Sequence, residues 1–559
     1  MGKLPDALDQ LKARLEALER RVDALERPSA APRAPEPVAR PLIAAGEGLS
    51  LAHAGGAFSV LGKAMLGIAG AYLLRAVAES SSLPRLAIAA VAIVYALLWL
   101  VAAARVPAAQ WFASTVYAGT SALILAPMLW ELTMSFKVLP APATAAILGL
   151  FVSVATALAW KKDRAPLLWV ANFTAAAAAL ALSVATHQLL PFIATLLLMA
   201  LISEYAAVRS HLLGVRFLPA LAVDAAIWAL IFIYSGPATT HTDYPALGTA
   251  ALVLPACVLF FIYAVSVVLR VLLLHQKITV FETGQAMIVF LLAASSVLYF
   301  APGSGAIALG AVCLLFSAAC YAAAFLLLSN ATDSRNFQVF VAWAAGLFIA
   351  GSLLCLPPFW LSAILGLAAI AATIFATRLT LRFHGLVFLL AAAAASGLLA
   401  YDFHALAGTT PAKLDTIICL VSLCAFLCYA AGKHLPQESW QPQLLHLATA
   451  ALAVFALAAL LVEGLLWLSA LRMTPSAPYV AFIRTLVLCA MAISLAFAGP
   501  RWRRLELTRI AYATLGLVAA KLLFEDLRLG YLEFIAAAIF LFAITLIAVP
   551  RLAHKKKKA

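Results

Sequence analysis

Six ionisable side chains close to the carboxyl end of the sequence are the first that could do chemistry. They are Glu463, Arg484, Lys521, Glu525, Asp526 and Glu533. Each stands within or beside an apolar segment, where a charge is costly unless it meets an opposite charge, water or a bound ion. Such groups at one depth can hold a cation, pass a proton or attract a basic group of a partner.

Spacing predicts how four of these groups pair. Lys521 and Glu525 share one helical face because they are separated by four positions. Glu463 and Arg484 would face each other across a hairpin, so the remaining two carboxylates become surplus. Two interpretations stay open: a binding site for a cation, proton or partner, and an ion-pair clamp that only locks the final helices together.

A seventh candidate is Asp224, which stands near the middle of its apolar segment, Val215–Ser235. A carboxylate at mid-membrane is expected to face a partner or a cavity. Asp224 therefore either couples a proton or an ion, or bonds to a neighbouring helix and fixes its packing. Closer to segment ends, Arg75 is predicted to pair with Glu79 four positions later.

Motifs for familiar catalytic chemistry are missing from the sequence. It contains no GxxxxGK[ST] loop, no HExxH and no GxSxG, and its eight cysteines include no CxxC pair. We therefore predict no catalytic residues, no metal site and no cofactor. The enzymatic alternative is a lipid-linked glycosyl or acyl transferase, for which Asp402 and His404 in an outward loop would be the polar residues.

Composition determines the class of protein that must position these residues. Hydrophobic residues make up 65% of the 559 residues and charged residues only 11%, against about 25% charged in ordinary globular domains. Apolar runs of roughly 20 residues fill residues 58–550. We predict an all-α, polytopic transmembrane bundle of about eighteen helices, in which Pro358–Ala376, Arg382–Ala400 and Lys413–Gly432 are three of the spans.

Basic residues predict the orientation of this bundle. If the amino terminus is cytoplasmic, most lysines and arginines fall in the connections on that same side. The opposite side holds only Arg85, Lys137, Lys413, Arg472 and Arg528. This bias predicts an even number of spans with both termini in the cytoplasm. The basic tail, residues 551–559, and the net charge of +14 favour contact with anionic lipid head groups on that side.

The first 57 residues are of a different kind. Leucines and one valine recur at alternating spacings of four and three between Leu4 and Leu25, which predicts a short cytoplasmic coiled coil over residues 1–27 and a possible homo-oligomer. The alternative is a lone amphipathic helix on the membrane surface. Residues 28–57 form a Pro/Ala-rich linker, and no cleavable signal peptide is predicted. Nothing in the charge pattern favours nucleic acid as a partner.

Two parts of the chain resemble a known family. The segment Arg509–Leu527, with Lys521 and Asp526 near its end, and the Gly-rich Leu61–Glu79 resemble the bacterial multi-pass membrane proteins grouped as domain of unknown function 2339. Glu533 departs from the basic residue expected early in the last helix. The resemblance implies a multi-pass protein of the bacterial inner membrane, and it brings no assigned activity.

Three functions follow as expectations. The favoured one is a transporter-like or envelope-associated membrane protein that moves a small or amphipathic solute. The second is a membrane scaffold that organises partners through the coiled coil at Leu4–Leu25. The third, and the only enzymatic one, is the lipid-linked transferase.

Overall fold

The computed structural model describes residues 51–80, 84–107, 110–162, 165–209, 213–237, 242–328, 334–375, 379–407, 414–432, 440–471, 476–529 and 531–553. Every regular element within these ranges is helical, which confirms the predicted all-α class. The predicted coiled coil (1–27) and residues 554–559 of the tail lie outside the described residues. Of the predicted linker, residues 51–57 belong to the first helix and the rest lie outside them.

The amino-terminal half contains nine long helices. They are α1 (Leu51–Ser80), α2 (Arg85–Arg105), α3 (Trp111–Met134), α4 (Ala141–Lys162), α5 (Ala165–Ala185), α6 (Leu189–Val208), α7 (Phe217–Ser235), α8 (Thr249–Val268) and α9 (Val280–Phe300). A 3₁₀ turn, Leu213–Arg216, leads into α7, and a π-helical turn, Leu269–Leu273, follows α8.

Ten longer helices follow, together with one short α-helical turn at Leu527–Leu529. They are α10 (Ser304–Ala322), α11 (Ser334–Cys355), α12 (Pro358–Ile374), α13 (Leu379–Ala395), α14 (Leu398–Ala407), α15 (Thr416–Ala431), α16 (Trp440–Ala470), α17 (Ala477–Trp502), α18 (Leu505–Lys521) and α19 (Leu532–Ala553). π-helical turns follow α10 at Ala323–Leu327 and α18 at Leu522–Asp526.

Fifteen helices among the described residues are long and apolar enough to cross a membrane. Their length and hydropathy establish a multi-pass integral membrane protein. The apolar helices α12 and α15 are shorter, with 17 and 16 residues, although the sequence predicts full spans there. The number of spans, predicted as about eighteen, therefore stays a prediction.

The predicted span Arg382–Ala400 is not one straight helix. It consists of α13 and α14, which meet at an angle of 67°. Gly397 lies at the break with φ +72°, a backbone conformation that costs other residues energy because of their Cβ atom. The break places Asp402 and His404 on helix α14, so the prediction of a loop for these two residues is wrong, and their outward location stays a prediction.

The described helices form two compact groups. The first contains α1 to α3 with residues 154–162 of α4 and 165–175 of α5, and the second contains the rest. Within the first group, hydroxyls join neighbouring helices: Ser114 Oγ donates to the Ala103 carbonyl at 2.9 Å, and Ser121 Oγ donates to the Ala96 carbonyl at 2.7 Å. Such hydrogen bonds stabilise helix association in a bilayer, where lipid tails are as apolar as the side chains and the hydrophobic effect does not favour contact between helices.

The second group is packed through small residues. Helices α10 and α11 approach so closely that a Cβ on Gly351 would lie 2.7 Å from the Gly310 carbonyl oxygen. Farther along, apolar residues of α12, α13, α14, α15 and α16 form one core around Leu365 and Leu389. The final helices pack around a second core that contains Ala492 and Ala511. These two cores position the polar residues of the carboxyl-terminal helices.

Candidate functional site

Lys521, at the end of α18, is the centre of the polar cluster in the final helices. Its ammonium donates to the Ala481 carbonyl at 2.9 Å, to Thr485 Oγ1 at 3.0 Å and to Asp526 Oδ1 at 2.7 Å. Glu525 Oε2 lies 3.5 Å from the same nitrogen. An ammonium has three donors, so every donor of this buried group has an acceptor.

Asp526 is paired and is not surplus. Its Oδ1 accepts from Lys521, and its Oδ2 accepts from the Thr485 hydroxyl at 2.9 Å. The π-helical turn explains this contact, since the Leu527 N–H bonds to the Leu522 carbonyl five positions earlier. The wider turn brings residues at both i+4 and i+5 over Lys521. The prediction that Asp526 is a surplus carboxylate is therefore wrong.

Arg484, in α17, is 1% exposed and joins three elements. Its Nε donates to the Ala405 carbonyl at 2.8 Å and its Nη2 to the His404 carbonyl at 3.4 Å. Both carbonyls lie in the last turn of α14, where helix carbonyls have no partner within the helix. Arg484 Nη1 also lies 3.2 Å from Glu525 Oε1. The guanidinium therefore fixes the end of α14 to the ion pairs of the π-helical turn.

The remaining two predicted members differ in their surroundings. Glu463 is buried in α16, close enough to the Tyr401 hydroxyl to interact with it electrostatically. Its predicted pairing with Arg484 stays a prediction. Glu533 is exposed near the start of α19 and forms no ion pair with a described residue. The structure thus connects Arg484, Lys521, Glu525 and Asp526 directly, and it leaves Glu533 apart from them.

A cavity of about 800 Å³ adjoins this cluster. Its walls come from α13, α14, α16, α17, α18 and the π-helical turn. Three charged residues, Asp402, Lys521 and Glu525, line it, and the other lining residues are leucine, phenylalanine and alanine. Phe403 and Phe524 at its edge are 74% and 78% exposed. The cavity is thus open at the surface of the helical bundle, and exposed phenyl rings at its edge suit contact with lipid tails.

Asp402 gives this cavity an unpaired acceptor. Its side chain is buried, yet Oδ1 has no hydrogen-bond partner among the described residues. The side chain of His404 is partly buried, and its backbone carbonyl bonds to Arg484. Of the two residues considered for transferase chemistry, Asp402 lines the cavity and His404 does not.

A smaller cavity of about 270 Å³ lies between α1, α2 and α3 of the first group. Arg75 and Glu131 line it and form an ion pair at 2.7 Å. The sequence assigned Arg75 to Glu79, whose side chain lies outside the described residues, so that predicted pair stays a prediction.

Asp224, the predicted mid-membrane carboxylate, is buried in α7. Gln285 Nε2, in α9, lies 3.0 Å from its Oδ1 and 2.8 Å from its Oδ2. The hydrogen bond joins α7 to α9, as expected for the packing interpretation. It does not by itself decide against proton or ion coupling, because an amide partner leaves the charge of Asp224 unneutralised.

Sequence reasoning missed a buried charge network beside Asp224. Arg216 Nη1 lies 3.0 Å from Glu282 Oε1 and 3.7 Å from Glu204 Oε2, and Arg270 is also paired with Glu282. The two arginines were counted as loop charges. One signal was available: Thr279 and Glu282 have the spacing of a capping box, and both of its hydrogen bonds form at the start of α9.

Among the described residues, no three His, Cys, Asp or Glu side chains gather closely enough to hold a metal ion. Comparison with protein-family models, with curated proteins and with solved structures found no match.

Proposed function

We propose that this integral membrane protein is transporter-like and takes an amphipathic solute from the bilayer into the cavity beside Lys521. The observation that carries the proposal is an apolar cavity of about 800 Å³ that has exposed phenylalanines at its edge and charged residues in its wall. Ligand sites in proteins are typically about 300–1,000 Å³ and mostly apolar, with a few polar groups that orient the ligand.

The walls suit an acyl or similar chain. Alanines at 448, 451 and 520 leave the space open, and leucines and phenylalanines surround it. Because the rim faces lipid, a solute already dissolved in the bilayer reaches the cavity without crossing water. Its chain stays in an apolar environment during entry, so partition into the membrane serves as the first step of binding.

The polar residues predict the head of the solute. All three donors of Lys521 are used within the protein, whereas Asp402 Oδ1 lacks a donor. Glu525 is partly exposed and also presents carboxylate oxygens. The head group should therefore carry hydrogen-bond donors, as hydroxyl and ammonium groups do.

The ion pairs support this function by holding the cavity wall, and Glu525 is the member that also presents oxygens to the solute. Arg484 and Lys521 hold α14, α17 and the π-helical turn at fixed positions, and these elements form the cavity wall. The clamp and site interpretations of the cluster are thus compatible: the clamp shapes the site.

The test uses a long-chain alcohol that carries a photoactivatable diazirine, added to vesicles containing the protein. After illumination, labelled peptides are mapped by mass spectrometry. We expect labels on α16 and α18 within the cavity. Ala451→Trp should fill the space and reduce labelling at least fivefold. Leu457→Trp is the matched control, since Leu457 lies on the same helix, is 46% exposed and does not line the cavity.

Equal labelling of both variants would refute the proposed site. Labelling reduced by Ala451→Trp, with retention after Leu457→Trp, would support it. The scaffold alternative rests on Leu4–Leu25, which lies outside the described residues. Kinship with the domain of unknown function 2339 proteins, a bacterial inner-membrane location and cytoplasmic termini remain part of the proposal, supported by sequence motifs and charge bias.

A further inference from the structure

Three buried polar atoms in the network of α6 to α9 have neither a hydrogen bond nor an ion-pair contact among the described residues. They are Glu204 Oε1, the Tyr263 hydroxyl and Arg216 Nε. The three residues are 3%, 2% and 5% exposed. They are neighbours, because Arg216 Nη1 lies 3.7 Å from Glu204 Oε2 and the Tyr263 hydroxyl interacts electrostatically with both side chains.

The donors and acceptors of the three atoms match those of one water molecule. Arg216 Nε is a donor, Glu204 Oε1 is an acceptor, and the Tyr263 hydroxyl can act as either. A buried water typically makes about three such bonds to otherwise unsatisfied groups. We propose that these residues enclose an ordered water through which the Glu204 carboxyl exchanges a proton. In the step, a hydronium gives its proton to Glu204 Oε1, which forms an O–H bond and leaves neutral water.

The surrounding charges make Glu204 the exchanging group. Glu282, from α9, takes the close contacts with Arg216 and Arg270. Glu204 meets Arg216 only at 3.7 Å, and Ser266 of α8 donates to its Oε2 at 2.6 Å. Protonation of Glu204 therefore leaves both arginines paired with Glu282 and the Ser266 contact in place.

Tyr263 extends the site towards mid-membrane. Its hydroxyl interacts electrostatically with Asp224 of α7 as well as with Glu204. The polar groups thus form a series from the predicted cytoplasmic side, at Arg216 and Arg270, to the Asp224–Gln285 hydrogen bond. A proton taken up at Glu204 would change the charge next to this series, as proton coupling of transport requires. The inference goes beyond the solute cavity, which is formed by other helices.

Hydroxyl-radical footprinting of the wild-type protein in vesicles tests the water. Radicals form at bound water, so we expect Tyr263 to be oxidised at least tenfold faster than Phe192, a fully buried residue of α6, after correction for intrinsic reactivity. Infrared difference spectra between acidic and neutral solution test the proton. We expect a carboxylic C=O band that shifts in D₂O, is lost in Glu204→Gln and persists in Asp224→Asn.

Tyr263→Phe keeps the ring and removes the hydroxyl, so it should shift the Glu204 band even if Glu204→Gln fails to fold. The inference is overturned if Tyr263 is oxidised no faster than Phe192. It is also overturned if the wild type has no titrating carboxyl band, or if that band is unaltered by both Glu204→Gln and Tyr263→Phe. These outcomes are independent of photolabelling in the solute cavity.

Discussion

Lys521 and Asp526 are five positions apart, yet Lys521 Nζ lies 2.7 Å from Asp526 Oδ1. In an ordinary α-helix, i and i+5 point to different sides, so this ion pair exists only because the chain continues α18 as a π-helical turn. The same turn keeps Glu525 within 3.5 Å of Lys521. The buried ammonium is thereby paired with two carboxylates that follow it in the chain. Both carboxylates also contact α17, Glu525 through Arg484 and Asp526 through Thr485.

Removal of one charge from this pair should destabilise the protein. Asp526→Asn preserves volume but leaves the Lys521 charge without its closest partner, and breaking a buried pair costs about 3–5 kcal/mol. We expect a lower thermal midpoint in detergent and less folded protein in membranes. The double variant Lys521→Met with Asp526→Leu removes both charges and should recover much of the loss. A double variant no more stable than Asp526→Asn would contradict the pairing.

Arg484→Lys should release the end of α14. A lysine keeps the charge but cannot reach the Ala405 carbonyl and Glu525 with one planar fork. Hydrogen bonds to charged groups contribute about 1.5–3 kcal/mol, so amide exchange in Leu398–Ala407 should become at least tenfold faster by mass spectrometry. Arg509→Lys is the control, because Arg509 is exposed and contacts Gln443 at 3.4 Å. Similar amide exchange rates in both variants would argue against a stabilising role of Arg484 at the end of α14.

The close approach of α10 and α11 makes a sharp packing prediction. In Gly351→Ala the new Cβ would lie 2.7 Å from the Gly310 carbonyl oxygen, so the backbones must separate. We expect a loss of about 1–3 kcal/mol, measured as a lower thermal midpoint. Gly346→Ala, in the same helix, meets nothing within 4 Å and should leave the midpoint unchanged or raise it. If Gly346→Ala lowered the thermal midpoint more than Gly351→Ala, α10 and α11 would not be in close contact at Gly351.

The membrane orientation predicted from basic residues can be checked with reporters. Fusions after Gly432 and after Arg472 flank α16, so a phosphatase that is active only outside and a cytoplasmic reporter should give opposite results at the two positions. We expect the first position to be cytoplasmic and the second outward. A common side for both positions would contradict the predicted topology.

Self-association through the amino-terminal seam is a separate prediction. Exchanging Leu11 and Leu18 for Asp places charges in the predicted seam, so cross-linking between protomers near the amino terminus should disappear. Glu19→Gln, outside the hydrophobic seam, is the control and should retain it. Persistent cross-linking after the double exchange would assign Leu4–Leu25 to the membrane surface.

The positions of most membrane helices were predictable because a bilayer demands about 20 apolar residues whatever the tertiary contacts. The predicted segment Val215–Ser235, for example, ends at the same residue as α7, Phe217–Ser235. Pairing was harder to predict. Assigning Asp526 assumed the helical repeat of 3.6, which a π-helical turn violates, and π-helical turns carry no signature in residue spacing.

The buried network of α6 to α9 was unpredictable for another reason. Arg216 and Arg270 stand at helix ends, where basic residues normally reach water, so nothing local distinguishes them from loop charges. In the folded protein they pair with Glu204 and Glu282, which come from other helices. Only tertiary structure brings those carboxylates to the arginines.

The short helices α12 and α15 have a consequence for the lipid around them. With 17 and 16 residues and about 1.5 Å of rise per residue, they extend roughly 25 Å, against about 30 Å for the hydrocarbon core. They pack against each other through Gly366 and Cys424. If both helices cross the membrane as the sequence predicts, this hydrophobic mismatch would thin the adjacent bilayer by a few ångströms.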